Sequence, residues 1–372
     1  MAAFVALLAL ACSAGALQPP ELVSRAEALR TLGLPVAGYA AFRTGAALSV
    51  INQPRVPEID APVGCKFTRI GDAGRSCRAK IFYPAAAGAT GEDAAYCADG
   101  RATSDGMAGL VGFRQLGLSF LLAHLADAPS GCVLDAPPAA GKFPLLVYSH
   151  GFGGNMDMGS YFLRTVASTG VIVAALEHTD GTASRTELAD GSELLFSPRM
   201  LASGAQLQRR SDELAAGVGA VPGLAGLPKI AGTFVGGHSY GGPSALLAAE
   251  ALGDDVDGAV LHDPALGMAS RLKLTKPTVS WTSDEYDRAG VRCGATFHAK
   301  GAFHGNFVDA PLWAPPWVMR PLSSVIPAAG PADPVAVHAA LARGAARFMR
   351  GEPASALITE PLFEPRGDLK TT

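Results

Sequence analysis

Apolar residues in this chain gather into short, nearly unbroken runs separated by longer stretches of mixed polarity. Phe143 to Ser149 (FPLLVYS) and Gly170 to Glu177 (GVIVAALE) are two such runs, and Gly232 to Gly236, Asp257 to His262, Thr278 to Thr282 and Gly294 to His298 continue the series. Runs of strand length without polar alternation are expected of parallel strands covered on both faces. Helix-compatible segments fall between them, at 158–168, 199–217, 240–252 and 333–349. This alternation predicts an α/β protein with one mostly parallel, doubly wound sheet. From Cys65 to Tyr83 apolar and polar residues alternate as far as Pro84, which predicts an N-terminal antiparallel hairpin. The Gly-, Ala- and Asp-rich stretch from 85 to 105 predicts a loop, and Leu118, Leu121, Leu122 and Leu125 stand at helical spacing.

Onto this frame falls Gly237-His238-Ser239-Tyr240-Gly241, a GxSxG sequence that means little alone. Here the strand GTFVG precedes it and the helix former GGPSALLAAEAL follows it. A strand, a sharp turn and a helix expose a strained serine above the sheet, the nucleophile arrangement of the α/β-hydrolase fold. A serine hydroxyl needs a base to take its proton. His304, in the loop-like Gly301-Ala-Phe-His-Gly-Asn-Phe307 after the last strand, completes the chain order of serine, acid and histidine. His298 lies within a strand and His338 on a helix, where structural roles are expected. Two acids compete on spacing: Asp263 after VDGAVLH, and Asp284 after VSWTS with Glu285 beside it. An oxyanion needs two backbone donors; Tyr240, after the nucleophile, and Phe152, in His150-Gly151-Phe152-Gly153-Gly154, are the candidates. No phosphate-binding glycine pattern occurs there.

The 372 residues carry a formal charge of -3 and no long basic run, so electrostatic capture of nucleic acid is not expected. The apolar run Ala2 to Ala11, ending Ala14-Gly15-Ala16, predicts a signal peptide over 1–16 and a secreted or lumenal protein, though no basic residue precedes it. Residues 17–57 read as a propeptide, targeting or arm segment, leaving organelle import as the alternative. The catalytic domain is expected over 58–350 and a tail over 351–372. Cys12 falls in the leader; Cys65, Cys77, Cys97, Cys132 and Cys293 have no zinc spacing, and read either as one or two disulfides with a free thiol or as five ordinary small residues.

Five segments, KFPLLVYSHGFGG, VIVAALEHTDG, GGHSYGG, AVLHDPALGM and FHGNF, resemble in order and spacing the plasma and intracellular type II platelet-activating-factor acetylhydrolases, from about Cys65 to about Trp317. The resemblance implies an α/β-hydrolase that removes short or oxidised sn-2 acyl groups from phospholipids, independent of calcium and without metal or organic cofactor. It implies Ser239 as nucleophile, Asp263 as acid, His304 as base, and Phe152 and Tyr240 as oxyanion donors, with no catalytic role for SWTSDEY. It also implies that Leu116, Leu118, Phe120, Leu121 and Leu122 lie where the animal plasma enzymes dock on membranes or lipoproteins. A helix packed on the sheet is the commoner use of such a stripe. Glu177-His178-Thr179-Asp180 matches a family element for which a hydrogen-bonded structural cluster is expected. The alternatives are a general short-chain carboxylesterase or polyester hydrolase, and a non-catalytic binding protein of the same fold.

Overall fold

The hairpin forms as expected: Val63–Ile70 (β1) and Cys77–Pro84 (β2) pair antiparallel, Val63 opposite Pro84 and Ile70 opposite Cys77. The computed structural model describes residues 54–367 apart from 73, 75, 269–273, 318, 320–328 and 360. The expected leader, Cys12 and the 17–57 segment, except 54–57, lie outside the described residues.

The stretch expected as loop instead holds a short strand, Asp93–Ala95 (β3), and opens the helix Arg101–Leu110 (α1). A long-range interaction that no local pattern encodes orders it. The fully buried Lys80 ammonium donates to the Ala95 and Tyr96 carbonyls, to Asp157 and to Ser160. Burial of such a charge is tolerable because every proton has an acceptor.

The leucine stripe does not run as one helix, because Gly112 and Gly117 adopt φ of 78° and 72° and break it into turns. Two 3₁₀ turns follow, Ser119–Leu121 and Ala123–Asp127. Leu118, Leu121, Leu122 and Leu125 are nevertheless buried together with Met107, Phe113 and Leu312, so most of the stripe is a core face. Leu116 remains exposed.

Pro129–Leu134 (β4) pairs with both β1 and β3. The parallel unit then follows the predicted course: Lys142–Ser149 (β5), Ser160–Ser168 (α2) and Ile172–Glu177 (β6). A small separate hairpin, Arg185–Glu187 (β7) with Glu193–Leu195 (β8), precedes the helix Gly204–Ala220 (α3), which Ser203 and Gln206 start with a capping box. Lys229–His238 (β9), Gly241–Leu252 (α4), Gly258–His262 (β10), Thr278–Thr282 (β11), Asp284–Arg288 (α5), Ala295–Ala299 (β12) and Pro334–Met349 (α6) complete the alternation. Within 351–372, expected as a tail, one segment returns to the sheet. Phe363–Arg366 (β13) pairs antiparallel with β12, and Phe363 is buried against Trp281 and Phe297.

The eleven-stranded sheet runs β13-β12-β11-β10-β9-β5-β6-β2-β1-β4-β3, parallel from β12 to β6. Helices cover both faces: α2 and α6 contribute Phe162, Val166, Leu341 and Phe348 to one core, α3 and α4 contribute Leu214, Val218, Ala245 and Leu246 to the other. The double cover explains the unbroken apolar strands. The five described cysteines are buried free thiols, so the second of the two readings holds for them. Burial raises the Cys132 thiol to about 11, which keeps it protonated. Among the described residues no helix is long and apolar enough to cross a membrane.

Candidate active site

Ser239 sits between the end of β9 and the start of α4 with φ of 53°, in the left-handed region. For a residue with a side chain this costs on the order of 1–3 kcal/mol and persists only where the surroundings enforce it. They do. A Cβ at Gly237 would lie 2.5 Å from the Gly241 carbonyl and 2.8 Å from Ser149 O, and one at Gly241 would lie 2.1 Å from Ser149 O. Only glycine lets strand and helix meet so closely, and the serine is left at the apex. Its own N–H donates to His262 O (3.0 Å), and its carbonyl accepts from Gly242 (3.0 Å) and Ala265 (2.9 Å).

Asp263, one residue past β10, also has positive φ, 48°, and is completely buried. Its Oδ1 accepts from Ser283 N (2.7 Å) and its Oδ2 lies 2.6 Å from His304 Nδ1. A proton on Nδ1 satisfies the carboxylate and leaves the Nε2 lone pair available. His304 opens the 3₁₀ turn His304–Phe307, and its side chain is 35% exposed. His238 packs its ring 4.5 Å from that of His304. Burial first, then the neighbouring histidines, push His238 well below the usual histidine range, so it stays neutral beside His304.

The loop after β5 presses on the serine: a Cβ at Gly151 would lie 2.9 Å from His238 Nδ1 and 3.2 Å from Ser239 Cβ. Gly153 donates to Thr182 O (2.7 Å), and Ser184 donates to Gly154 O (2.8 Å). The Phe152 ring stands edge-on to those of Tyr240 (5.5 Å) and Phe196 (5.4 Å), and Tyr240 Oη donates to Ser203 O (2.8 Å). Ser239, His304, Phe152 and His238 line one cavity of about 120 Å³, whose other walls include Leu110, Met156, Met158, Phe162 and Phe307.

Beneath the loop lies a network that takes in His178, Thr179 and Asp180 of Glu177-His178-Thr179-Asp180. The buried Arg210 guanidinium pairs with Asp180 (2.8 Å) and donates to His150 O (2.5 Å), to Ser149 Oγ (3.2 Å) and to Thr182. His178 Nε2 lies 2.7 Å from Ser149 Oγ and its Nδ1 2.6 Å from Glu213 Oε2. Burial opposes ionisation of Glu213, but the bonds from His178 and Thr179 outweigh it and hold the carboxyl below its ordinary range. The expected structural cluster is present, and it underpins the loop that carries Phe152. Sequence reasoning missed Arg210 and Glu213, which sit on an ordinary amphipathic helix. No local signal marks them, since charged residues on such a helix ordinarily face solvent.

Of the two competing acids, Asp263 lies against His304, whereas Asp284 Oδ1 lies 2.7 Å from His298 Nε2 and accepts from Gly301 N (3.0 Å). Asp284 therefore fastens the start of the loop that carries His304. His338 is buried, with Nε2 3.1 Å from Asn306 O. Among the described residues no cluster of three or more His, Cys, Asp or Glu side chains is arranged to hold a metal ion.

Residues 49–194 match the family model described as platelet-activating factor acetylhydrolase, isoform II. The chain is 29% identical over 136 residues, 36% of its length and 32% of the relative's, to "Platelet-activating factor acetylhydrolase" of Gallus gallus. It is 39% identical over 54 residues, 14% of its length and 12% of the relative's, to "Putative phospholipase A2" of Schizosaccharomyces pombe. Against "Platelet-activating factor acetylhydrolase" of Canis lupus familiaris it is 51% identical over 45 residues, 12% and 10% of the two chains. The chain thus spans a third or less of the length of these curated relatives. A solved structure, "Ferulic acid esterase from Streptomyces cinnamoneus", superposes with a TM-score of 0.63 at 22% identity, covering 84% of this chain and 98% of that one. That likeness shows the α/β-hydrolase fold. The matched stretch, residues 49–194, takes in the loop bearing Phe152, so it is there that the chain is similar to the platelet-activating factor acetylhydrolase, isoform II, family.

Proposed function

We propose that the protein is a serine ester hydrolase that removes short or oxidised acyl groups from the sn-2 position of phospholipids. The observation that carries this reading is the 2.6 Å bond between Asp263 and His304, in a cavity that Ser239 and the Phe152 loop also line. Ser239 Oγ attacks the ester carbonyl while His304 Nε2 takes its proton. The N–H groups of Phe152 and Tyr240 hold the oxyanion. Collapse of the tetrahedral intermediate releases the lysophospholipid alcohol, which leaves with the proton from His304. A water then attacks the acyl-enzyme, giving its proton to His304, and Ser239 regains that proton as the free acid departs. Throughout, Asp263 keeps the imidazole in one tautomer and balances its charge.

Two further observations support the substrate class. The cavity, at about 120 Å³, is well below the roughly 300 Å³ where drug-sized ligand pockets begin, so it suits a short acyl group better than a long chain. Its walls are mostly apolar, as an acyl tail requires. Contact with a membrane or lipoprotein surface is part of the proposal, supported by the exposed Leu116. So is secretion, supported by the apolar run Ala2 to Ala11.

The test is hydrolysis, with chelator present, of a phospholipid bearing an sn-2 acetyl group beside one bearing a long sn-2 chain, by the protein and by Ser239→Ala. Rapid release of acetate by the parent alone, with long chains spared, is expected. Turnover of a simple soluble ester without attack on either lipid would move the function to a general carboxylesterase.

A further inference from the structure

Tyr286 lies in SWTSDEY, a segment to which the family resemblance gave no catalytic role. Its ring stacks on that of His304 with centroids 5.1 Å apart and planes 8° from parallel. Burial raises its phenol above the ordinary range, and a hydrogen bond with the Ser239 side chain acts against that shift. It is half-buried, on the first turn of α5, and the same residue that steadies Asp263 places it. Ser283 N donates to Asp263 Oδ1 (2.7 Å), while Ser283 Oγ caps α5 by accepting from Tyr286 N (3.2 Å). The acid and the aromatic ring are therefore fixed by the two ends of one serine.

We infer that Tyr286 is a positioning residue for the nucleophile and base, an inference that rests on the hydrolase reading above. Ring and hydroxyl do different work. The ring limits rotation of a base that is one-third exposed and held by a single carboxylate bond, and its π face stabilises the imidazolium formed when Ser239 gives up its proton. The phenol O–H donates to Ser239 Oγ and keeps that oxygen in the rotamer from which attack begins. A second lone pair on Oγ remains for the carbonyl carbon. Orientation of this kind acts on the chemical step and not on affinity for the ester.

Two substitutions separate the parts. Tyr286→Phe keeps the stack and removes the hydroxyl, whereas Tyr286→Leu removes both. With a soluble acetyl ester, Tyr286→Phe should lower kcat about three- to tenfold, the effect of one hydrogen bond, with KM unchanged. Tyr286→Leu should lower kcat roughly thirtyfold or more, again with KM unchanged. The rate at which an organophosphonate labels Ser239 should fall in the same order, and melting temperatures should show both variants folded. Partial rescue by phenylalanine is the signature of the two-part role. A Tyr286→Phe variant with parental kcat and labelling rate, beside an inactive Ser239→Ala, overturns the inference and leaves the nucleophile standing. Parental turnover by Ser239→Ala would instead remove the hydrolase reading, and this inference with it.

Discussion

Two chains of serine, histidine and carboxylate run through this molecule, and they differ in what surrounds them. In one, Ser149 Oγ, His178 and Glu213 are joined at 2.7 and 2.6 Å. In the other, His304 and Asp263 are joined at 2.6 Å, with Ser239 in the same cavity. By the acid–histidine hydrogen bond alone they look alike. The His178 side chain, however, is fully buried, while that of His304 is 35% exposed. Burial, and then the Arg210 guanidinium beside it, hold His178 below the usual histidine range and oppose the imidazolium that a general base must become. Ser149 ends an extended strand with Arg210 donating to its oxygen, whereas Ser239 is forced into a left-handed apex at a cavity. On the proposed reading, a bonded triad becomes a reactive one only when the base can accept charge and the serine can meet a substrate. The sealed chain is scaffolding for the open one, since it braces the strand end from which the Phe152 loop departs.

The largest expected effect breaks the open chain at its acid. Asp263→Asn should lower kcat for a soluble ester by roughly 10³–10⁴-fold, because the amide favours the wrong imidazole tautomer and cannot balance the imidazolium. Asp284→Asn is the matched control, one strand over. Its histidine is engaged at both nitrogens, by Asp284 and by Arg366 (2.7 Å), so kcat should fall by less than about fivefold, as expected when one loop-anchoring bond weakens. Equal losses in the two variants would mean that either acid serves the base, and would undo the distinction drawn above.

That distinction also marks where the sequence stops being legible. The order of elements, the serine apex and the two candidate acids can be read along the chain because they depend on neighbours: unbroken apolar runs, glycines at the tight approach, acids at strand ends. Asp263 and Asp284 could not be ranked by spacing, since the choice depends on which loop reaches which histidine across the sheet. Resemblance to a family ranked them, and the Asp263–His304 bond is consistent with that ranking. Lys80, Arg210 and Glu213 were illegible for a related reason. Each is a charge whose burial is tolerated through partners many residues distant, so its local pattern is that of a surface residue. The leucine stripe misled in the opposite way. Its spacing is helical, but Gly112 and Gly117 deliver the same side chains to the core through turns.

Breaking the sealed chain should affect folding more than chemistry. His178→Leu leaves the Ser149 hydroxyl without its imidazole partner and deprives the Glu213 carboxylate of its buried donor. A loss of about 1–3 kcal/mol is expected, because the buried carboxylate loses one donor while the Thr179 N–H and hydroxyl remain to it. Denaturant unfolding should show it as a lower midpoint at unchanged slope. In dilute buffer, where the variant remains folded, kcat should stay within about tenfold of the parent, the scale of one indirect hydrogen bond. A loss of activity as deep as that of Asp263→Asn, in a protein of parental stability, would place His178 in the chemistry.

The open chain has one more buried acid at its back. Asp309 follows the turn that His304 opens, and its carboxylate accepts from Tyr161 N (2.8 Å), Phe162 N (3.0 Å) and Tyr96 Oη (3.1 Å), which ties that turn to α2 and to the segment after β3. Burial raises its pKa from 3.8 to about 7 despite those three donors. Between those values the folded protein binds the proton more tightly than the unfolded chain, so this group favours folding at low pH and loses that contribution as pH rises through about 7. Asp309→Asn cannot ionise and should not share the loss. Its melting temperature relative to the parent should therefore improve between pH 5 and pH 8.5, by an amount equivalent to about 1–3 kcal/mol. Esterase activity in the folded range should change little, since Asp309 touches α2 and Tyr96 and not the imidazole. An offset between variant and parent that is the same at both pH values would mean that Asp309 enters and leaves the fold in one protonation state, and that three hydrogen bonds outweigh complete burial at the base of the loop that carries His304.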